Sequence, residues 1–239
     1  MRYCGISVDA ELHHLCVLEE VRDPEPPIRL AATFYEPGSA QRVVEALLSL
    51  GEIVAGIAGP TTSPGDGREI RYCDAELREC GVPPGRLLEA GAALRHGLVG
   101  LGFFEGEPEL LEGPVPEDAY LETPFFETNA DGVFFALQER RLPARRNPLG
   151  VERRIEELAE DHIEDEGGEL WHRRIEELDA AAAALCAHRY AVGHARWIGD
   201  PAEGVVVLPG SGPLETFSAE GVLPAVERQP LPVRAGMRP

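Results

Sequence analysis

The chain contains no lysine, and all 22 of its basic residues are arginine. A phosphate-binding loop of the P-loop type needs a lysine after its glycines, so Gly65-Asp66-Gly67 is not such a loop. The five cysteines are scattered and form no C-x-x-C pair, which excludes the common zinc and redox motifs. No apolar run approaches the ~20 residues that span a bilayer. The sequence predicts a cytoplasmic protein without a membrane segment.

Positive charge is also scarce. The 42 acidic residues leave a net charge of -20. Such a charge disfavours binding to nucleic acid, because that binding depends on basic side chains that neutralise phosphates. Arginines nevertheless cluster between residues 140 and 154, where they are predicted either to bind phosphate or to pair with the acids that follow. The arginines predicted to contact a substrate are Arg71, Arg145 and Arg146.

The first third of the sequence predicts a meander followed by a crossover. Three apolar runs, at residues 3–8, 12–21 and 28–35, are separated by polar or proline-rich breaks and predict antiparallel strands. Ser39 is placed to cap a helix over residues 40–50, which ends at Gly51. A buried strand over residues 52–57 then favours parallel pairing with the first strand.

The remainder predicts alternating helices and strands. Helices are expected over residues 69–80, 130–139, 151–161 and 167–193, and strands over 120–128 and 204–208. Residues 85–116 show no clean period and are expected to be loops with short pieces. We expect a single domain over residues 1–209, followed by a tail rich in proline and glycine over 210–239 that is extended or disordered.

Three antiparallel strands, a helix, a parallel strand and then alternating elements form the order of an RNase H-like α/β fold. The sequence also resembles the family known as domain of unknown function 429, described as predicted nucleases of that fold. The motifs that carry the resemblance are Gly5-Ile6, Ile57 with Pro60, Glu127-Thr128-Asn129, Leu142-Pro143-Ala144-Arg145, Leu178-Asp179-Ala180 and Gly199-Asp200-Pro201.

The resemblance implies metal-dependent phosphodiester cleavage with Mg²⁺ or Mn²⁺. Such chemistry needs several carboxylates that converge on two cations about 3.5–4 Å apart. Glu127 and Asp179 match two acidic positions of the family. Ser7 and Ala58 stand where the family has aspartates, so half of the implied ligand set is missing.

Nearby acids are candidate replacements for the missing carboxylates. Asp9 lies on the same strand face as Ser7 but roughly 6.5–7 Å further along. Its other interpretation is a turn residue. Asp66 and Asp74 follow Ala58 in the sequence and are further candidates. The alternative interpretation of Asp66 is a turn residue, and that of Asp74 is a residue in the first turn of its helix.

Two hypotheses follow, and a third option is a dimeric structural protein, which would need an exposed apolar patch. In the first, the protein has lost most of its metal-binding and catalytic capacity and acts by binding a nucleotide, a nucleic-acid end or a protein partner. In the second, it is an active metal-dependent nuclease or phosphohydrolase whose rearranged site uses Asp9, Glu127 and Asp179 as metal ligands and catalytic groups. Convergence of those three carboxylates would favour the second hypothesis.

Overall fold

The first three strands form the antiparallel meander that the sequence predicts. The computed structural model describes residues 1–21, 28–65, 67–85, 88–106, 123–210, 216–218 and 221–223. Strand β1 (Arg2–Ser7) pairs with β2 (His14–Val21), which pairs with β3 (Arg29–Phe34). All three strands bury apolar side chains.

The crossover to a parallel strand is also confirmed. Helix α1 (Ala40–Ser49) begins at Ser39, whose hydroxyl accepts a hydrogen bond from the Arg42 amide at 3.5 Å. Strand β4 (Ile53–Ala58) then lies parallel to β1 and places Ala58 beside Ser7. Ser7 and Ala58, where the family resemblance implies aspartates, are therefore neighbours at the carboxyl edge of the sheet.

The strand order is that of an RNase H-like fold. The main sheet runs β7-β3-β2-β1-β4-β6-β9-β8, with β5 also paired to β6, and β4, β6 and β9 run parallel to β1. The remaining elements are α2 (Tyr72–Glu79), α3 (Leu88–Gly100), β5 (Phe104–Glu105), β6 (Pro124–Thr128), α4 (Ala130–Gln138), α5 (Pro148–Glu160), β7 (Ile163–Asp165), α6 (Ile175–Ala191), β8 (Ala195–Asp200), β9 (Gly204–Pro209) and the hairpin β10 (Thr216–Ser218) and β11 (Gly221–Leu223).

Some predicted boundaries are wrong. The region expected to be loops contains α3, whose three glycines make it a weak helix by propensity. The long helix begins at Ile175 rather than at Gly167, because a turn and a short 3₁₀ segment come first. Strands β7 and β8 are absent from the prediction. Of the predicted tail, only Gly210 and the hairpin belong to the described residues, so the division into domain and tail stays a prediction.

The backbone of helix α6 packs directly against the backbone of β1 at Gly5. A Cβ atom added to Gly5 would lie 2.0 Å from the carbonyl oxygen of Ala180 and 2.2 Å from the nitrogen of Ala184. Further back along β1, the ring of Tyr3 meets that of His188 with centroids 4.8 Å apart. The helix therefore runs antiparallel to β1, and its N-terminal turns lie over the carboxyl end of the strand.

Candidate functional site

Ser7 and Ala58 face helix α6. Gly5 and Gly56 lie two positions earlier on the same strands, and both approach the α6 backbone. Side chains two residues apart on a strand share a face of the sheet. The α6 face of this edge therefore carries a hydroxyl and a methyl group where the family resemblance implies two carboxylates.

Glu127 lies on the opposite face of the sheet. It is paired in register with Ile57 on β4, and Phe125, two residues earlier on β6, packs with Leu94 of α3 in the core on that side. Strand alternation directs Glu127 to the α3 side as well. Glu127 and Asp179, which belongs to α6, are therefore separated by the sheet.

A buried guanidinium pairs with Glu127. Arg71, which precedes α2, is 1% exposed and donates from Nη1 and Nη2 to the two oxygens of Glu127 at 2.8 and 2.6 Å. Its Nε and Nη2 also donate to both oxygens of Asp74, at 2.8 and 3.1 Å. Nη1 makes a further hydrogen bond of 3.0 Å to the Thr62 hydroxyl. These contacts use all five N–H donors of the guanidinium.

Glu127 is also fixed by the loop that follows β4. The amide and the hydroxyl of Thr61 donate to its Oε2 at 2.7 and 2.9 Å. Burial raises the pKa of Glu127, and the hydrogen bonds from Arg71 and Thr61 oppose that effect. Burial acts to lower the pKa of Arg71, but its bonds to Glu127 and Asp74 raise it overall. A guanidinium keeps its proton in proteins, and both oxygens of Glu127 accept hydrogen bonds, so the pair is ionic.

Glu203 holds the other end of the same loop, and sequence reasoning missed this role. Its carboxylate accepts from the amides of Gly65 and Tyr72 at 2.6 and 3.0 Å and pairs with Arg68 at 3.1 Å. The guanidinium of Arg68 also stacks 4.4 Å from the centre of the Tyr72 ring. The acidic residue before Gly204 was visible in the sequence, but its partners were not.

A cavity of about 300 Å³ opens beside Glu127. It lies where β6 changes neighbours, from β5 at the start of the strand to β9 at Thr128. The connection before β6 contains α3 on one face of the sheet, whereas α4 follows on the other face. Ligands of α/β sheets bind at such switch points, outside the carboxyl ends of the strands. The polar residues of the lining are Thr61, Thr62, Arg95, Glu105, Glu127 and Glu203.

Asp179 is buried on the α6 face and contacts Arg145 through Oδ2. Its Oδ1 makes no hydrogen bond within the described part of the chain. Burial raises the pKa of Asp179 to about 7, although Arg145 acts to lower it. Oε1 of Glu176 lies 3.9 Å from Nη2 of Arg145 and 3.7 Å from Nη2 of Arg146. The structure therefore brings Arg145 to Asp179 and leaves Arg146 exposed beside Glu176.

The other predicted residues are dispersed. Asp9 is exposed in the turn after β1, where Oδ1 accepts from the Ala10 amide at 2.7 Å. Asp74 occupies the first turn of α2, as its alternative interpretation predicts. Asp66 lies outside the described residues. The predicted substrate contact of Arg71 needs correction, since the guanidinium is enclosed and has no donor left.

The residues present do not fit the Mg²⁺ or Mn²⁺ that the fold family implies. Over residues 1–21, 28–65, 67–85, 88–106 and 123–210, no three His, Cys, Asp or Glu side chains are grouped to hold a metal ion. Glu127 is bound on both oxygens, and Asp179 lies across the sheet with Arg145. The predicted ligand set of Asp9, Glu127 and Asp179 is therefore not assembled.

No family model and no curated protein matches the chain. Among solved structures, the chain is similar to RuvC of Thermus thermophilus, with a TM-score of 0.42 and 12% sequence identity over 80% of this chain and 94% of that one. At this level of similarity, neither an activity nor a ligand is transferred to the chain. Among the described helices, none is long and apolar enough to cross a membrane.

Proposed function

We propose that this RNase H-fold protein acts by binding and not by two-metal hydrolysis, and that its ligand is the size of a nucleotide. The observation that carries the proposal is the bidentate pair of Arg71 with Glu127, at 2.8 and 2.6 Å. A carboxylate bound in this way is not free to ligate a cation. Glu127, at the carboxyl edge of the sheet, has both of its oxygens hydrogen-bonded within the protein.

The cavity supports a small ligand. Its volume of about 300 Å³ suits one nucleoside or a molecule of similar size, and small-molecule sites commonly begin at roughly this volume. The hydroxyls of Thr61 and Thr62 line it, and the Arg95 guanidinium, paired with Glu105, is 36% exposed beside it. Arg95 is the basic side chain among the described lining residues, so we expect it to contact a phosphate of the ligand. A nucleic-acid strand is disfavoured by the net charge of -20.

Calorimetric titration with nucleoside 5′-monophosphates tests this function. We expect binding that weakens about 10-fold or more in Arg95→Met, since a hydrogen bond to a charged group contributes roughly 1.5–3 kcal/mol. Arg153→Met is the control, because Arg153 pairs with Glu156 on the surface of α5, and it should bind as the unmodified protein does. Absence of binding, or equal binding by both variants, would refute a nucleotide site in this cavity.

A metal-dependent nuclease or phosphohydrolase is the second candidate, and Asp179 is the observation that favours it. This carboxyl is buried on α6 over the carboxyl end of β1, with one oxygen that lacks a partner among the described residues. A raised pKa in such a position is typical of functional carboxyls. The candidate requires Asp9 and Glu127 to move to the same point as Asp179, against the contacts described above.

A further inference from the structure

Arg71 connects three separate parts of the chain at one point. It binds Thr62 in the loop after β4, Asp74 in α2 and Glu127 in β6. The side-chain exposures of Arg71 and Glu127 are only 1% and 4%, and that of Asp74 is 11%. Arg71 therefore joins the loop and α2 to the sheet, together with the bonds of Thr61 and Glu203 described above.

The single positive charge of Arg71 balances only one of the two negative charges of Glu127 and Asp74. Bringing two carboxylates together out of water is costly unless a cation lies between them. Proteins have two common solutions, an arginine fork or a hard divalent cation held by carboxylate oxygens. Here the arginine occupies the place between Glu127 and Asp74, so the two solutions exclude each other.

We propose that the Arg71 guanidinium is a built-in replacement for a divalent cation, bridging Glu127 and Asp74 as a bound ion would. This inference rests on the proposed binding function, in which the carboxyl edge works without metal. The bridge fixes the loop that carries Thr61 and Thr62, and these residues line the cavity. The cavity is thereby organised before any ligand arrives, and its shape does not depend on the metal concentration.

If Arg71 takes the place of a divalent cation, removal of its side chain creates a metal site. Arg71→Ala leaves Glu127 and Asp74 facing an empty space, and we expect a large loss of thermal stability in buffer alone. Mn²⁺ should restore part of it, raising Tm by roughly 3–6 °C when the ion is present at about ten times its Kd. The unmodified protein and the double variant Arg71→Ala/Glu127→Gln should not respond to Mn²⁺ at matched ionic strength.

Arg71→Gln keeps the test decisive if Arg71→Ala does not fold. Glutamine can still donate hydrogen bonds to Glu127 but carries no charge, so this variant should also gain a Tm response to Mn²⁺. A folded Arg71 variant that ignores Mn²⁺ would overturn the replacement and leave the proposed function standing. Stabilisation of the unmodified protein by Mn²⁺, lost in Glu127→Gln, would overturn both.

Discussion

Replacing Gly5 by alanine is expected to lower the stability of the protein by at least about 3 kcal/mol, the upper end of typical overpacking costs. The new Cβ would lie 2.0 Å from a backbone oxygen and 2.2 Å from a backbone nitrogen of α6, so the helix itself must shift. For a domain of this size, that loss corresponds to a fall in Tm of roughly 6–12 °C. Thermal unfolding followed by circular dichroism measures it.

Gly97→Ala is the matched control. Gly97 lies within α3, and among the described residues a Cβ there would meet only Cγ2 of Val44, at 3.5 Å, an ordinary contact. Alanine is the better helix former by up to ~1 kcal/mol, so this variant should be as stable as the unmodified protein or slightly more stable. If Gly5→Ala and Gly97→Ala had equal Tm values, the close approach of α6 to β1 would be wrong.

Asp179→Asn is expected to change how stability depends on pH. The pKa of Asp179 is raised from 3.8 to about 7 by burial, so the folded state binds its proton more tightly than the unfolded state does. The resulting stabilisation is complete below the unfolded pKa and is lost as pH rises toward 7. Relative to Asp179→Asn, the unmodified protein should therefore lose stability between pH 4 and 7, by at most about 4 kcal/mol.

Asp165→Asn provides a control of opposite sign. Burial acts to raise the pKa of Asp165, but hydrogen bonds from Arg173, at 2.6 and 2.9 Å, hold it below its usual value. Its contribution to stability is present above the unfolded pKa and is lost as pH falls through the folded pKa. Urea unfolding at several pH values compares the two variants. Parallel profiles for Asp179→Asn and the unmodified protein between pH 4.5 and 8 would contradict the buried, proton-binding carboxyl.

Local sequence signals predicted the first half of the sheet well. Ser39 is a strong helix cap and Gly51 follows the helix, so the crossover from β3 to β4 could be placed within a few residues. Helix α3 could not be recognised in this way, because Gly91, Gly97 and Gly100 interrupt it. Gly91 is needed for tertiary packing, since a Cβ there would lie 2.0 Å from the Pro60 carbonyl oxygen.

The candidate site was predicted by residue but not by geometry. The sequence identified Glu127, Asp179 and Arg71, yet strand alternation alone does not say which face a distant helix covers. Only the packing of α6 on Gly5 and Gly56 places Asp179 on one side of the sheet and leaves Glu127 on the other. The burial of Arg71 likewise depends on how α2 packs, which no local pattern encodes.

Calorimetric titration of the unmodified protein with Mn²⁺, followed by a nuclease assay at the same metal concentrations, tests the central claim most directly. If Arg71 satisfies Glu127 permanently, we expect no saturable binding up to millimolar Mn²⁺ and no metal-dependent cleavage. Saturable binding that disappears in both Glu127→Gln and Asp179→Ala, together with cleavage, would contradict the account and establish a rearranged carboxylate site.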